Sequence, residues 1–420
     1  MSANTSPSDH TANEDSPRDS SKISSIWLLA GSLVVTFLFL ELIVRLMGSY
    51  DELGQFVFMD EVIRPYKYPT EQAQSLLDEY LASPDSYIMY DPYLGWTIRP
   101  NAESENGLYR SNSQGMRADR DFSSTPAADT IRIAIFGDSY THSSDVPFEE
   151  SWGYLLEQDL LARGYQVEVM NFGVGGYGID QAYLRWKMVG QGFHPDIVVF
   201  GFQPENVSRD VTAYRGFENP NTGTPFFKPR FIFGDDGLVL INSPTPPPDQ
   251  VVAALENFQN SEAAPYDYWY DAENYRDHIW YRSKLIAVIS ELAYRARVRQ
   301  ENESPEAALF DPTGEPVLLT EAIIEQWHDE VEAEGSRFVI VHLPHKNYLR
   351  LYYQQGTLPY QDLLPYFDEN YTFVHTEDGF DEAPLEDYFV GHYNGKGNAV
   401  VANALSLELI PIIEDLEASR

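Results

Sequence analysis

The sequence predicts an α/β protein built on a parallel sheet, preceded by one amino-terminal transmembrane helix. Three observations carry this. From residue 131 onward, apolar runs rich in β-branched residues alternate with stretches of helical spacing, the pattern of a parallel sheet covered on both faces. Most of these runs end in Gly, Asp, Asn or Ser, residues that turn the chain where α/β folds keep their ligand sites. Near the amino terminus, Ile26–Met47 is an apolar run broken late by Glu41 and Arg45, and as a helix at about 1.5 Å per residue it matches the thickness of a hydrocarbon core.

Bulk composition narrows the function classes. The chain has 420 residues and 43% hydrophobic content, enough for a packed core and for one large domain with insertions or for two domains. Asp and Glu number 65 against 28 Lys and Arg, a formal charge of -37, which argues against nucleic acid as a partner because phosphate binding needs a basic surface. Lys supplies only seven of the basic residues, and an acidic, Lys-poor surface suits a high-salt environment. Cysteine is absent, so neither disulfides nor thiolate metal sites are available. No metal-ligand spacing stands out elsewhere.

Residues 1–23 form a polar tail of disordered composition. Residues 24–48 read as the anchor: the apolar run is long for a signal peptide, its preceding tail is acidic, and no small-x-small cleavage site follows. Glu41 and Arg45 are spaced to pair on one helix face. Arg18 and Lys22 precede the run, and after Arg45 the next basic residue is Arg64, a distribution that places the amino terminus in the cytoplasm and the body outside it. Residues 49–128 lack a clean period. They carry Tyr-Asp-Pro-Tyr-Leu-Gly-Trp at 90–96 and Asn-Ser-Gln-Gly-Met-Arg at 112–117, and read as an irregular, aromatic-pinned extension packed on the core. Arg117 is suited either to bonding loop carbonyls or to reaching an anionic or carbonyl group at a site.

The core domain spans 129–420. Its first strand, Ile131 onward, stops at Gly137 and is followed at once by Asp138 and Ser139. A serine there is either a nucleophile or a helix cap. A helix is predicted over 151–163, ending at Gly164, then a strand over 166–171, a Gly-rich turn over 173–178, a helix over 180–189 and a strand over 197–201. Glycines in the turn let backbone N–H groups approach a substrate oxygen, and the amide of Asn206, past the third strand, can donate to the same oxygen. Residues 210–315 break the alternation and read as an insertion, with an aromatic cluster at 266–275 suited either to stacking sugars and covering the site or to internal packing, and a helix from Lys284 to about Gln300. The pattern resumes with a helix over 318–334, strands over 337–343 and 371–374, and a closing helix over 399–416.

A serine hydroxyl needs a base, usually His. Among nine His residues, His142 is tied to the turn of Ser139, His345 follows a strand end, and His392 sits in a turn-rich loop free to fold over the sheet edge. Gly137-Asp138-Ser139, the turn 171–178, Asn206, and Gly-His-Tyr-Asn-Gly-Lys-Gly-Asn at 391–398 together resemble the SGNH/GDSL hydrolase superfamily, and the anchor followed by the 90–96 and 112–117 motifs resembles its membrane-anchored members. The resemblance implies a flavodoxin-like three-layer sandwich and an exported, single-pass membrane hydrolase of carboxyl esters on a small molecule, lipid or glycan, without a cofactor. It implies Ser139 as nucleophile, His392 as base, and the N–H groups of Ser139 and Gly176 with the Asn206 side chain as oxyanion donors. The family's Asp three residues before its His is Phe389 here, so Asp387, or Glu386 beside it, becomes the candidate acid; Val207 also replaces the usual Asp after Asn206. An O-acyltransferase acting on a surface polysaccharide, and a non-catalytic glycan-binding or assembly protein, are the alternatives on the same fold.

Overall fold

The computed structural model describes residues 18–51, 54–301, 308–381 and 384–420. The polar tail lies outside these, apart from its last residues. The chain divides into two compact units: one takes in the chain to Tyr66 together with Asn274–Ala296, and the other takes in Lys67–Glu273 and Arg297–Arg420. This division cuts across the expected extension 49–128 and the expected insertion 210–315, because short segments of each pair with one another.

In the first unit a helix runs over Arg18–Met47. Its stretch Ser25–Met47 is long and apolar enough to cross a membrane, and its most apolar part is not buried. Near the carboxyl end the pattern changes. Glu41 pairs with Arg45 at 2.6 Å, as the four-residue spacing predicts, and also accepts backbone N–H bonds from Lys284 and Leu285 and the Ser283 hydroxyl at 2.8–3.1 Å. It therefore caps the helix Lys284–Glu301 in the way an anion satisfies the open N–H groups of a helix start. Val44, Phe56, Ile63, Tyr281, Ala287 and Val288 form the small core of this unit.

The second unit is the α/β domain. Its five-stranded parallel sheet comprises β1 (Ile131–Gly137), β2 (Val167–Asn171), β3 (Ile197–Phe202), β4 (Arg337–His342) and β5 (Thr372–Val374). The spatial order is β2-β1-β3-β4-β5, the doubly wound order with its switch point between β1 and β3. All seven residues of β1 are buried, as a central strand covered on both faces requires.

Two layers of helices follow from the alternation of side chains along the strands. On one face Ile131, Ile133, Ile135, Val199, Val339 and Val341 share a core with Leu156 and Leu160 of α1 (Trp152–Ala162) and Val401, Leu405 and Leu409 of the closing helix, α4 (Gly395–Ser419). On the other face α2 (Ile179–Met188) and α3 (Glu315–Ala333) bring Trp186 and Trp327 to the sheet. Trp327 is wholly buried and meets Phe136, Phe200 and Phe338 with ring centroids 5.4–5.9 Å apart, so truncating it to Ala removes about 3–5 kcal/mol. The helix α4 begins a turn earlier than its apolar pattern shows, because the Asn394 side chain accepts the N–H groups of Lys396 and Gly397 at 2.9 and 3.1 Å.

Outside the sheet, the extension is more regular than its sequence suggested. It holds a helix over Thr70–Ala82 and an antiparallel pair, Ile88–Asp91 with Gly95–Ile98. The insertion contains a hairpin of Arg230–Gly234 and Gly237–Ile241. Trp96 of the 90–96 motif is pinned to the Gly-rich turn: its indole N–H donates to the Gly175 carbonyl at 2.9 Å, and the Tyr177 hydroxyl donates to its carbonyl at 2.6 Å.

Candidate active site

The site lies at the carboxyl end of the sheet, at the switch point. Gly137 ends β1 with φ +152°, and a Cβ there would fall 2.2 Å from Thr141 Oγ1 and 2.9 Å from the Gly201 carbonyl. Only glycine lets the chain turn so tightly beside its neighbour strand. Asp138 then caps the short helix Ser139–His142, accepting the N–H of Tyr140 at 2.8 Å, and this aims the Ser139 side chain out of the turn.

His392 arrives from a tight turn in which Phe389 bridges Tyr393. Its Nε2 lies 2.8 Å from Ser139 Oγ. On the other side of the ring, Nδ1 lies 2.8 Å from Oδ2 of Asp145, and the same oxygen accepts the backbone N–H of His392 at 3.1 Å. The Tyr140 ring meets the imidazole edge-on at 4.8 Å. Burial raises the Asp145 carboxyl, but the two hydrogen bonds and the charge of His392 outweigh it and hold the group below the ordinary range. Asp145 is therefore an ionised acceptor near neutral pH, and it fixes Nδ1 of His392 as the donor.

The carboxylate expected at His392 was that of Asp387, and the structure places another there. Asp387 is exposed and joins the turn through its backbone: its carbonyl accepts the Asn394 amide at 2.7 Å. Glu386 is exposed and reaches Arg350 at 3.1 Å. Asp145 lies on the serine's own loop, six residues past Ser139 in a Ser-Ser-Asp run of ordinary turn composition, and no spacing in the sequence distinguishes it. The other two candidate histidines stand elsewhere. His142 is buried, with Nε2 2.9 Å from the Tyr87 hydroxyl, and burial followed by the Arg117 charge pushes its pKa well down. His345 stacks on Tyr348 at 3.9 Å and accepts the N–H of Asn347.

The expected oxyanion donors divide. Gly176, at φ +80°, lines the same cavity as Ser139, and its carbonyl accepts Arg215 Nη1 at 2.7 Å. Asn206 is 1% exposed and its amide is engaged: Nδ2 donates to the Tyr177 carbonyl at 3.0 Å, and Oδ1 accepts the N–H of Gln203 at 2.9 Å. One turn further on, Arg209 reaches the cavity and forms a buried ion pair with Asp138 at 2.6 Å. Breaking such a pair by removing one partner costs about 3–5 kcal/mol, so Arg209 supports the Gly-Asp-Ser turn from behind.

The cavity over Ser139 and His392 has a volume of about 730 Å³. Tyr80, Trp96 and Phe226 form its aromatic wall, with Asn219, Asn221 and Thr222 among its polar lining. Within the aromatic cluster at 266–275, two members pack internally: Tyr270 meets Phe258 and Phe217 at 4.7 and 5.2 Å, and the Trp269 indole donates to the Ser208 carbonyl. Among the described residues, one cluster offers metal-ligand chemistry: His342, His375 and Glu377, away from Ser139 at the ends of β4 and β5. Each Glu377 oxygen stands 2.7 Å from a histidine Nδ1, a hydrogen-bond separation, closer than the roughly 3.3 Å between ligands sharing one tetrahedral ion.

No family model matches this chain, nor does any curated protein. Solved structures do. It is similar to a lipolytic protein of the G-D-S-L family from Desulfitobacterium hafniense, at 12% identity, covering 66% of this chain and 99% of that one with a TM-score of 0.32. It is similar to an acetyl xylan esterase from Geobacillus stearothermophilus, at 13% identity, covering 69% and 97% with a TM-score of 0.36. A lipase/acylhydrolase from Enterococcus faecalis matches at 12% identity over 66% and 95%, with a TM-score of 0.34.

Proposed function

We propose that this chain is a serine hydrolase of carboxyl esters, held at a membrane by its amino-terminal helix with the α/β unit exported. The observation that carries the reading is the unbroken line of hydrogen-bond contacts from Ser139 through His392 to Asp145, each 2.8 Å long. Asp145 keeps Nδ1 protonated, so Nε2 accepts the Ser139 proton as Oγ attacks the ester carbonyl. The tetrahedral oxyanion would face the N–H groups of Ser139 and Gly176; losing one such donor costs about 2.7–4 kcal/mol of barrier. His392 then passes its proton to the leaving alcohol, and an acyl-enzyme on Ser139 remains. Water, deprotonated by the same nitrogen, attacks the acyl carbon; Ser139 recovers the proton and the acid leaves. Each cycle consumes one ester and one water and yields one alcohol and one acid.

The Asp145 carboxylate at the imidazole supports catalysis over the non-catalytic glycan-binding alternative. The aromatic-walled cavity of about 730 Å³ supports an ester of a bulky compound, such as a glycan or lipid. Labelling with a fluorophosphonate, followed by peptide mapping, tests the reading: modification of Ser139 supports it, and full turnover of p-nitrophenyl esters by Ser139→Ala rejects it.

A further inference from the structure

Asp145 is supplied by a loop with unusual backbone. Ser143 and Asp145 both occupy the left-handed region, at φ 58° and 72°, which costs non-glycine residues energy that the surroundings must supply. Part of that support comes from the serine's own turn, where the Ser144 N–H donates to the Ser139 carbonyl at 2.9 Å. Further support comes from the extension before β1. The Arg117 guanidinium is buried and donates to the carbonyls of His142, Ser143 and Val146, bracketing Asp145 on both sides. The Tyr109 hydroxyl accepts the Asp145 N–H at 2.8 Å, and its ring lies 5.0 Å from the Arg117 guanidinium carbon. Arg117 is itself fixed, its N–H donating to the Asn171 carbonyl at the end of β2.

We infer that Arg117, with Tyr109, is a positioning residue for catalysis: the extension holds the Ser143–Val146 loop in the shape that brings the Asp145 carboxylate to His392. This rests on the hydrolase reading. A planar fork can serve three carbonyls at once, and an ammonium cannot hold the same geometry. In this chain, therefore, the acid is carried by the serine loop and set by a segment that precedes the α/β core, and the Asn-x-x-Gly-x-Arg motif is part of the catalytic apparatus without touching substrate.

The test compares Arg117→Lys, Tyr109→Phe, Asp145→Asn and the double variant Arg117→Lys/Asp145→Asn in the full chain, on a p-nitrophenyl ester. A displacement of about 1 Å can cost about 100-fold, so Arg117→Lys should lose kcat by roughly that factor, with KM within about twofold of the parent. Tyr109→Phe, which removes one hydrogen-bond acceptor from the loop, should lose about tenfold. The double variant should be no slower than Asp145→Asn alone, because the arginine acts through that carboxylate. Wild-type kcat in Arg117→Lys, or losses that multiply in the double variant, would overturn the inference. If Arg117→Lys does not fold, Tyr109→Phe and its combination with Asp145→Asn decide by the same criteria. Active Ser139→Ala protein sinks the hydrolase reading; inactive Ser139→Ala beside an unaffected Arg117→Lys sinks this inference alone.

Discussion

His392 and Asp145 stand 247 positions apart in the chain, yet one carboxylate oxygen accepts both the ring and the backbone N–H of the histidine. Two bonds to one oxygen fix the imidazole in position and in tautomer.

The first expectation concerns which acid matters. Asp145→Asn should lower kcat about 100- to 10,000-fold, since an amide can present its N–H to Nδ1 and favour the wrong tautomer. Asp387→Asn, whose side chain stands clear of the imidazole, should leave kcat near the parent value. Steady-state kinetics on a short ester, with both variants side by side, reads the difference directly.

Gly391 offers a gentler probe. A Cβ added there would sit 2.5 Å from Asp145 Oδ2. Because the atom it meets is the tip of a side chain, Gly391→Ala should fold normally but push the carboxylate off the ring. The expected result is an unchanged melting temperature with kcat reduced about tenfold or more; an unchanged kcat would mean the carboxylate tolerates the shift.

A third expectation is a pH dependence of stability at the far edge of the sheet. His375 is raised to about 9, chiefly by its hydrogen bond to Glu377, while Glu377 is lowered: burial opposes this, and the bonds from His342 and His375 prevail. A raised His contributes in full below its unfolded pKa of about 6.5 and loses that contribution as pH rises through about 9; a depressed Glu contributes above about 4.5 and loses it in acid. The stability difference between the parent and His375→Asn should therefore be greatest between about pH 4.5 and 6.5 and shrink toward pH 9, as urea denaturation at a series of pH values would show.

Salt provides the fourth. A formal charge of -37 repels itself, and raising salt from about 0.1 M to about 1 M shortens the screening length from about 10 Å to about 3 Å. The melting temperature should rise over that range in KCl. A flat response would show that the acidic surface is spaced widely enough to need no screening.

Local order was readable wherever a pattern repeats. The β-branched run at 131–137, the helical spacing at 152–162 and the apolar stretch at 26–47 each bury or expose a face through residues close in the chain, so periodicity alone carries the information. Ser139 and His392 could be singled out because the turn and loop around each resemble blocks of the SGNH/GDSL pattern. Asp145 could not. Its role depends on a loop shape set by Arg117 and Tyr109 and on the approach of Gly391, contacts between segments far apart in sequence, and a lone Asp in a Ser-rich turn carries no local mark of them. The same holds for Asn206, whose amide is taken up by Tyr177 and Gln203, and for Glu41, which looked like half of an intrahelical pair and also caps a helix more than two hundred residues away. Hydrophobic pattern and turn chemistry chose the elements; the directional bonds between polar groups, which need both partners in place, chose the partners.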